Sequence, residues 1–269
     1  MSDQEESANT RDPSSQVGAD TPNIARMYDY WLGGKDNFAA DRRSAEEIVK
    51  ISEGKVLRGV RLNRAFLGRA VRAAAEAGVR QFLDLGSGLP TQENVHEVAG
   101  PGARVVYVDY DPVVASHAHA ILAKSETVGF VQADLRKPAE ILGHPTVREL
   151  IDFDEPVAFM FVSVLHFVDD GEDPHGIVAR FRDAAAPGSH LILSHLSRDG
   201  FPQKMAQTEQ VYQGASARLG ARTHAEILGF FDGFELSEPG LVGPTEWRPG
   251  DGPPGTEKFA GLVGMGVRP

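Results

Sequence analysis

Cysteine is absent from this chain of 269 residues. Its absence excludes disulfide bonds, thiolate zinc sites and cysteine nucleophiles, because each requires a sulfur atom that the sequence does not supply. A long apolar segment is also lacking. The longest run, Val157 to Val168, contains Ser163 and His166 and is shorter than the roughly 20 residues that cross a bilayer. Residues 1–21 contain no apolar core typical of a signal peptide, so we expect a cytoplasmic protein without a membrane span.

Positive charge is scarce, with 27 Lys and Arg against 38 Asp and Glu and a net charge of -11. Proteins that bind nucleic acid or anionic membranes use basic patches, so this balance disfavours both partners. The length and the 41% hydrophobic content are sufficient for one domain with a substantial core. Composition does not indicate an oligomeric state.

The sequence divides into three regions. Residues 1–21 are polar and acidic, which predicts a disordered tail. Residues 22–78 have helical hydrophobic spacing and are predicted to form a helical cap. Residues 79–269 alternate between strand and helix patterns and are predicted to form the core domain.

Three helices are predicted in the cap region. Apolar residues recur at helical spacing from Ile24 to Trp31, and Gly33-Gly34 ends that helix. A second helix is predicted to begin near Ser44, because Ser44-x-x-Glu47 is a capping box. A third is predicted from Leu62 to Ala77.

Seven strands are predicted in the core region, and the strand-helix alternation indicates an α/β fold with a mostly parallel sheet. The predicted strands are Gln81–Leu85, Arg104–Val108, Thr127–Gln132, Val157–Val164, His190–Ser194, Phe234–Ser237 and Phe259–Val267. Helices are predicted at Pro112–Ala123, Gly176–Ala186, Gln203–Leu219 and from Thr223 to about Gly233, and a Gly/Pro-rich loop at Pro239–Gly255.

The strongest chemical signal is the segment Asp84-Leu-Gly-Ser-Gly88, where an apolar strand runs into a turn that contains two glycines. Glycines there allow a ligand to approach the backbone closely. In open α/β sheets, ligands bind at the carboxyl ends of the strands. Two glycines after a strand are also compatible with a plain tight turn, so this segment alone is a weak indication of a ligand site.

Acidic residues end the next two strands and strengthen the interpretation. Asp109 is placed to accept hydrogen bonds from both ribose hydroxyls of a nucleoside. Asp134 is placed to accept from the exocyclic amine of a base, with Leu135 packing on the ring. Each acid has an alternative role as a turn or helix-capping residue. Acids at three successive strand ends are, however, less expected by chance than any one of them alone.

The first acid also discriminates between nucleotide cofactors. Asp84 precedes the glycines, where it would attract a cationic amino group and repel a pyrophosphate. A dinucleotide fingerprint would require a small residue at position 91, whereas Thr91 follows Pro90. S-adenosylmethionine is therefore favoured over NAD, and an NAD-dependent oxidoreductase is the less favoured alternative.

These motifs resemble the first three motifs of class I S-adenosylmethionine-dependent methyltransferases. More narrowly, the segments 23–38, 61–67 and 89–91 resemble an actinobacterial family of S-adenosyl methyltransferases that was long a domain of unknown function. The resemblance covers nearly the whole chain after residue 21. It implies a Rossmann-like fold with a seven-stranded sheet, a C-terminal antiparallel hairpin and S-adenosyl-L-methionine as cofactor. Leu89-Pro90 departs from the commonest loop, which has another glycine, but the narrower family has the same Pro-Thr.

The resemblance also implies roles for individual residues. Asp84, Gly86 and Gly88 would form the cofactor loop, Asp109 would bind the ribose, and Asp134 would bind the adenine amine. Ser163 and Val164 would line the methionine side. The core residues assigned to the cofactor are Asp84, Gly86, Ser87, Gly88, Asp109, Tyr110, Asp111, Asp134, Leu135, Ser163 and Val164.

Residues of the helical cap are candidates for the remaining part of the site. Tyr28, Gly33, Gly34, Asn37 and Arg64 are assigned to cofactor binding, the last four as partners of the methionine carboxylate. Tyr30 is assigned to the wall of the substrate pocket as a catalytic candidate. The alternative is that the aromatic residues only dock a helix onto the core.

His166 follows the fourth predicted strand and is the other catalytic candidate. It is a possible general base, because the unperturbed pKa of histidine suits proton transfer near neutral pH. It is equally compatible with a role as a pocket wall or core residue. His117 and His119 are two residues apart on a predicted helix and point in different directions, so we expect no metal site.

These features together predict a methyltransferase that acts on a small molecule. A module that binds S-adenosylmethionine as a sensor, without turnover, is the alternative. The sequence indicates neither the acceptor nor the acceptor atom.

Overall fold

A computed structural model describes residues 18–90, 94–122, 125–249 and 258–269 of the chain. Predictions for residues 1–17, Thr91, Ala123 and part of the loop Pro239–Gly255 lie wholly or partly outside these ranges. No helix within them is both long and apolar enough to span a membrane.

The core is a sheet of seven strands in the order β3-β2-β1-β4-β5-β7-β6 among the described residues. Strands β1 to β5 are parallel, and β7 is antiparallel to both β5 and β6. The strands are β1 Gln81–Leu85, β2 Arg104–Asp109, β3 Val128–Gln132, β4 Val157–Val162, β5 His190–Leu196, β6 Glu235–Leu236 and β7 Gly261–Val267. The predicted Rossmann-like architecture, with its mostly parallel sheet and final antiparallel hairpin, is confirmed.

Ten α-helices connect and cover these strands in the described ranges. They are α1 Ile24–Leu32, α2 Ala39–Ile51, α3 Lys55–Glu76, α4 Val95–Val98, α5 Pro112–Leu122, α6 Pro138–Leu142, α7 Pro145–Leu150, α8 Pro174–Ala184, α9 Pro202–Tyr212 and α10 His224–Leu228. The prediction that Gly33 ends the first helix is confirmed, since its φ of 86° is left-handed.

Apolar strands allow both faces of the sheet to be buried. Every residue of β1 is buried, and alternate side chains enter opposite cores. Leu83 and Leu85 join one core, whereas Phe82 joins the other, where it meets Phe66 and Ala70 of α3. The second half of α3 is therefore part of the sheet's packing.

A helical layer covers the carboxyl edge of the sheet. We define it as α1, α2, the first half of α3, and α9. Its own core contains Met27, Trp31, Ile48, Val60 and Met205, all buried. Sequence prediction placed the first three helices here, but it did not associate α9 with them.

Three predicted boundaries in or beside this layer are wrong. Helix α2 begins at Ala39, not near Ser44, because the carboxylate of Asp41 accepts a hydrogen bond from the Phe38 amide at 2.7 Å. Helix α3 begins at Lys55, seven residues before Leu62, since Gly54 adopts the left-handed conformation that the preceding turn needs.

The third wrong boundary is the end of α9. The helix stops at Tyr212, whereas the hydrophobic spacing predicts that it continues to Leu219. After it, the Ser216 amide donates to the Pro22 carbonyl at 2.8 Å. A tertiary contact with the segment before α1 thus replaces the helical bonds that would have continued α9.

Candidate active site

A cavity of about 290 Å³ lies between the carboxyl edge of the sheet and the helical layer. Residues from the ends of β1, β2, β4 and β5 line one side, and α1, α2, α3 and α9 line the other. Thirteen of the predicted site residues line it: Tyr28, Arg64, Asp84, Gly86, Ser87, Gly88, Asp109, Tyr110, Asp111, Leu135, Ser163, Val164 and His166.

The turn after β1 approaches the cavity through its backbone. Gly86 and Gly88 have left-handed φ angles of 75° and 66°. The amides of Gly86 and Ser87 donate to the Val108 carbonyl at 2.8 and 3.1 Å, which ties the turn to β2. A Cβ atom on Gly86 would lie 2.3 Å from Cγ2 of Val164, so glycine is required both by conformation and by space.

Asp109 ends β2 with its carboxylate at the cavity. One carboxylate oxygen accepts from the Gly88 amide at 2.8 Å and the other from the Asp111 amide at 3.0 Å. Burial raises the pKa of Asp109 to about 6, although these amide bonds oppose the shift. A carboxylate can accept about four hydrogen bonds, so each oxygen retains a lone pair for the hydroxyl groups of a ligand.

Asp84 is the penultimate residue of β1 and is only 5% exposed. Its carboxylate accepts no hydrogen bond from any described residue. Burial raises its pKa to about 7, and Asp109 adds to the shift, while the positive charge of Arg64 opposes it. A buried carboxylate without a hydrogen-bond donor is unfavourable, so the site fits a ligand that brings a cationic amino group.

A buried polar network joins the helical layer to the turn after β2, and sequence analysis missed it. The Asn23 side-chain amide donates to Asp111, while its oxygen caps α1 by accepting from the Arg26 amide at 3.1 Å. The Asn23 backbone amide donates to Asp41 at 2.7 Å, and Asp41 pairs with Arg26 at 2.8 Å. Asn23 could have been predicted as a helix cap, but its partner lies 88 residues away.

The end of β4 contributes backbone and side-chain groups to the same edge. Ser163 has a left-handed φ of 57°, and its amide donates to Oγ of Ser194 at 2.9 Å. This conformation turns the chain out of the sheet immediately before Val164, the residue that contacts the Gly86 turn. Strand β5 thereby holds the loop that carries His166.

His166 is 3% exposed and lies beside the cavity. Its Nδ1 accepts a hydrogen bond from the Leu196 amide at 3.4 Å. Burial lowers its pKa well below the usual value, and His195 and Arg222 lower it further. The imidazole is therefore neutral in the folded protein at neutral pH.

Five predicted residues do not line the cavity. Tyr30 faces the outer side of the helical layer, where its hydroxyl donates to Glu46 at 3.1 Å. Asp134 accepts from the Arg136 amide at 3.0 Å and pairs with its guanidinium at 2.7 Å. These bonds stabilise the turn before α6. The N-cap of α6 is Lys137, so Asp134 is not the helix cap that the sequence left open as its alternative role.

Gly33, Gly34 and Asn37 also lie outside the cavity lining and surround Asp29 instead. The Asn37 side chain donates to Asp29 Oδ2 at 2.9 Å, and the Gly34 amide donates to the Asp29 carbonyl at 2.9 Å. A Cβ atom on Gly34 would lie 1.9 Å from Asp29 Oδ1. The glycine pair thus accommodates the Asp29 side chain at the end of α1.

The part of the cavity beneath the helical layer is mostly apolar. The sequence predicted only the part of this wall that the first helix contributes through Trp31, because the other residues come from helices, strands and loops that are distant in sequence. The apolar lining there includes Trp31, Ile48, Ile51, Val56, Val60, Phe167, Leu196, Phe201, Met205, Tyr212, Phe259 and Leu262. Within the described ranges, no group of three or more His, Asp or Glu residues is placed to hold a metal ion.

Comparison with known proteins identifies the family. The model of the S-adenosyl methyltransferase family matches residues 10–269. A candidate methyltransferase from Thermobifida fusca is 43% identical, with a TM-score of 0.89 over 95% of this chain and 98% of that one. A DUF574 family protein from Streptomyces avermitilis is 35% identical, with a TM-score of 0.89 over 94% of this chain and 100% of that one.

More distant structures share the fold alone. The methyltransferase SibL is 19% identical, with a TM-score of 0.50 over 80% of this chain and 57% of that one. No curated protein matches the chain. The family match over nearly the whole length confirms the resemblance carried by the segments 23–38, 61–67 and 89–91. The chain belongs to the S-adenosyl methyltransferase family and is an S-adenosylmethionine-dependent methyltransferase.

Proposed function

We propose that this methyltransferase acts on a small, largely apolar molecule that binds beneath the helical layer. The observation that carries the proposal is the continuity of the cavity. The same cavity reaches from the carboxylates of Asp84 and Asp109 to the apolar walls formed by Trp31, Met205 and Tyr212. A cofactor at the strand ends would therefore share one cavity with its acceptor.

Four residues at the sheet edge fit S-adenosylmethionine. Asp84 would attract its amino group, because the carboxylate is buried without a hydrogen-bond donor among the described residues. Asp109 would accept from the ribose hydroxyls through its remaining lone pairs. Tyr110 and Leu135 line the cavity beyond Asp109, where they would pack against the adenine. When bound, the cofactor supplies an activated methyl group on a sulfonium sulfur.

The protein's own contribution is position and exclusion of water. The Gly86 turn and the Ser163 turn are held by hydrogen bonds to β2 and β5. The helical layer covers this edge and is tied to it through Asn23 and Asp111. Holding two reactants in one orientation in a dry cavity accounts for much of the rate of a reaction whose donor is already activated.

The size of the cavity and the charge of the chain both favour a small acceptor. A duplex or a folded RNA would not enter a cavity of about 290 Å³ beneath the helical layer. The net charge of -11 also opposes attraction of a phosphate backbone. A metabolite with an apolar body matches the walls in size and chemistry.

The test begins with calorimetric titration of the full chain with S-adenosylmethionine, S-adenosylhomocysteine and NAD. We expect binding to the first two and not to NAD. The protein is then incubated with cofactor carrying a labelled methyl group and, separately, with a metabolite extract, a transfer RNA mixture and a protein extract. Label in extracted small molecules alone supports the proposal, whereas label in RNA or protein contradicts it.

The same experiment decides between turnover and sensing. A protein that binds S-adenosylmethionine but labels no acceptor in any extract would be a sensor of the cofactor or of its demethylated product. Asp183→Asn is a matched control for these assays, since Asp183 is exposed on α8 and pairs with Arg182 outside the cavity lining.

A further inference from the structure

Three buried side chains adjoin the cavity and have no part in the cofactor site described above. They are His166, His195 and Arg222, which are 3%, 2% and 4% exposed. The two imidazole rings meet edge to face, with centroids 5.2 Å apart. His166 and His195 both line the cavity, and Arg222 lies behind them.

The hydrogen bonds of His195 define which of its nitrogens carries the proton. Its Nδ1 lies 2.7 Å from the Leu196 carbonyl oxygen, which only accepts, so Nδ1 must donate. Its Nε2 lies 2.9 Å from Nη1 of Arg222, which only donates, so Nε2 must accept. His195 is therefore neutral, and burial lowers its pKa to about 3.

The same reasoning shows which ring nitrogen of His166 carries the proton. Its Nδ1 accepts from the Leu196 backbone amide, so the proton of the neutral ring is on Nε2. No described residue forms a hydrogen bond with that Nε2. His166 lines the cavity, so this N–H, which has no partner among the described residues, is left available to a ligand.

Arg222 holds the two histidines and the loop between them in place. Its N–H groups donate to the carbonyls of Leu165 and Val168, on either side of His166, and to His195. The remaining donors meet Asp170 at 2.6 and 3.2 Å. All N–H groups of the guanidinium are used, so Arg222 has no donor left for a substrate.

We infer that His166 donates a hydrogen bond to the methyl acceptor through Nε2–H. Arg222 is the positioning residue, because its contacts with His195 and with the loop 165–170 keep the His166 proton on Nε2. The inference rests on the proposed function for the identity of the ligand. It assigns to the acceptor molecule an apolar body and an oxygen with a free lone pair, as in a ketone, ester or carboxylate. A general-base role for His166 does not fit this arrangement, because its only unprotonated nitrogen already accepts from Leu196.

The protonation state is tested first, without any ligand. Nitrogen-15 chemical shifts of the histidine rings are measured in the full chain, with His166→Gln and His195→Gln to assign the signals. We expect His166 to be protonated at Nε2 only, with no titration between about pH 5.5 and 8. Protonation at Nδ1, or titration of His166 within that range, would overturn the inference.

Arg222 is tested in the same spectra. In Arg222→Lys and Arg222→Gln, we expect a mixture of His166 rings protonated at Nε2 and at Nδ1. The Nδ1 form should be less populated in the Lys variant than in the Gln variant. Arg180→Gln is the matched control, because Arg180 is exposed on α8. If Arg222→Gln does not fold, His195→Phe tests the same link by removing the group that Arg222 contacts. Unchanged His166 signals in a folded variant would refute the positioning role.

The donor role is tested with two probes of the same shape. Acetophenone has a carbonyl oxygen where α-methylstyrene has a methylene group, and both are titrated into protein saturated with S-adenosylhomocysteine. One hydrogen bond predicts about threefold to tenfold tighter binding of the ketone. His166→Phe should abolish this preference and His166→Gln should retain part of it. A ketone that binds no better than the hydrocarbon would overturn the inference.

These measurements separate the inference from the proposed function. Cofactor titration and the labelled-methyl screen test methyl transfer to a small molecule, whereas the ring spectra require neither cofactor nor acceptor. A protein that transfers no methyl group can still show the assigned form of His166. Conversely, turnover on a small molecule with a titrating His166 would refute only the donor role.

Discussion

Asp109 combines two functions at the residue scale. It holds the Gly88 and Asp111 amides and also faces the cavity. We expect Asp109→Asn to weaken S-adenosylmethionine binding by about 10-fold to 100-fold, because two charge-assisted hydrogen bonds become neutral ones. Calorimetry measures the change, with Asp183→Asn on the exposed face of α8 as the control. An unaltered dissociation constant in Asp109→Asn would remove this carboxylate from the cofactor site.

Asp84 makes cofactor binding depend on pH. In the free protein its pKa is about 7, so the carboxyl group is protonated below that pH. A cationic amino group favours the ionised form, and binding below pH 7 must therefore release a proton. We expect affinity to fall by up to about tenfold per pH unit below pH 7, with a further loss below pH 6 as Asp109 becomes protonated.

Titration calorimetry in two buffers of different ionisation enthalpy measures that proton release directly. Asp84→Asn should bind the cofactor weakly and lose the pH dependence between pH 6 and 7. Equal affinity at pH 5.5 and 8 in the unmodified protein would contradict the raised pKa of Asp84 and its role in binding the amino group.

At the scale of single elements, α1 and α2 depend on one buried ion pair. The side chains of Arg26 and Asp41 are 3% and 0% exposed, and their closest atoms are 2.8 Å apart. Arg26→Leu leaves the Asp41 carboxylate buried without its charge partner. We expect a loss of about 3–5 kcal/mol in the free energy of unfolding, measured by urea titration.

Lys137→Ala provides the comparison for that loss. Lys137 and Glu140 form a pair whose side chains are 60% and 64% exposed, so its removal should cost less than about 1 kcal/mol. If both substitutions had similarly small effects, the buried pair would not stabilise the helical layer.

Elements with a strong local pattern could be predicted from the sequence. Strand β4 is apolar throughout and buried between two neighbours, and α1 ends at the glycine that its pattern indicates. The start of α2 and the end of α9 could not be predicted, because Asp41 and the Pro22 carbonyl override the local signals.

The same distinction applies to the candidate site. Asp84 and Asp109 were predictable since each lies at the carboxyl end of a strand, and parallel strands place these ends at one edge. The pairing of Asn23 with Asp111 was not, because it joins positions that only the fold brings together. The glycine pair after α1 is explained by Asp29, a contact that no spacing rule indicates.

On the scale of the whole molecule, the cofactor edge and the helical layer should respond to a ligand together. S-adenosylhomocysteine at 100 times its dissociation constant should raise the free energy of unfolding by about 2.7 kcal/mol. Because Asn23 links α1 to Asp111, we expect slower hydrogen exchange in Ile24–Leu32 as well as in the turns after β1 and β2.

Hydrogen exchange followed by mass spectrometry measures whether the slowing extends from the turns to α1. Asn23→Ala should retain the slowing at the turns but reduce it in α1. Protection confined to the turns in the unmodified protein would show that the two parts respond independently.

The fit of Gly86 against Val164 has a consequence for the history of the family. The glycine leaves no room for a Cβ atom, and the valine methyl group fills the space where one would be. A larger side chain at position 164 would intrude on the turn unless the turn itself moved. Across relatives, position 86 should therefore remain glycine wherever position 164 is β-branched. Where position 164 is smaller, glycine should still be kept at position 86 because its φ of 75° is left-handed, whereas a residue larger than valine at position 164 should be accompanied by changes in the turn, and an alignment of family members tests both expectations.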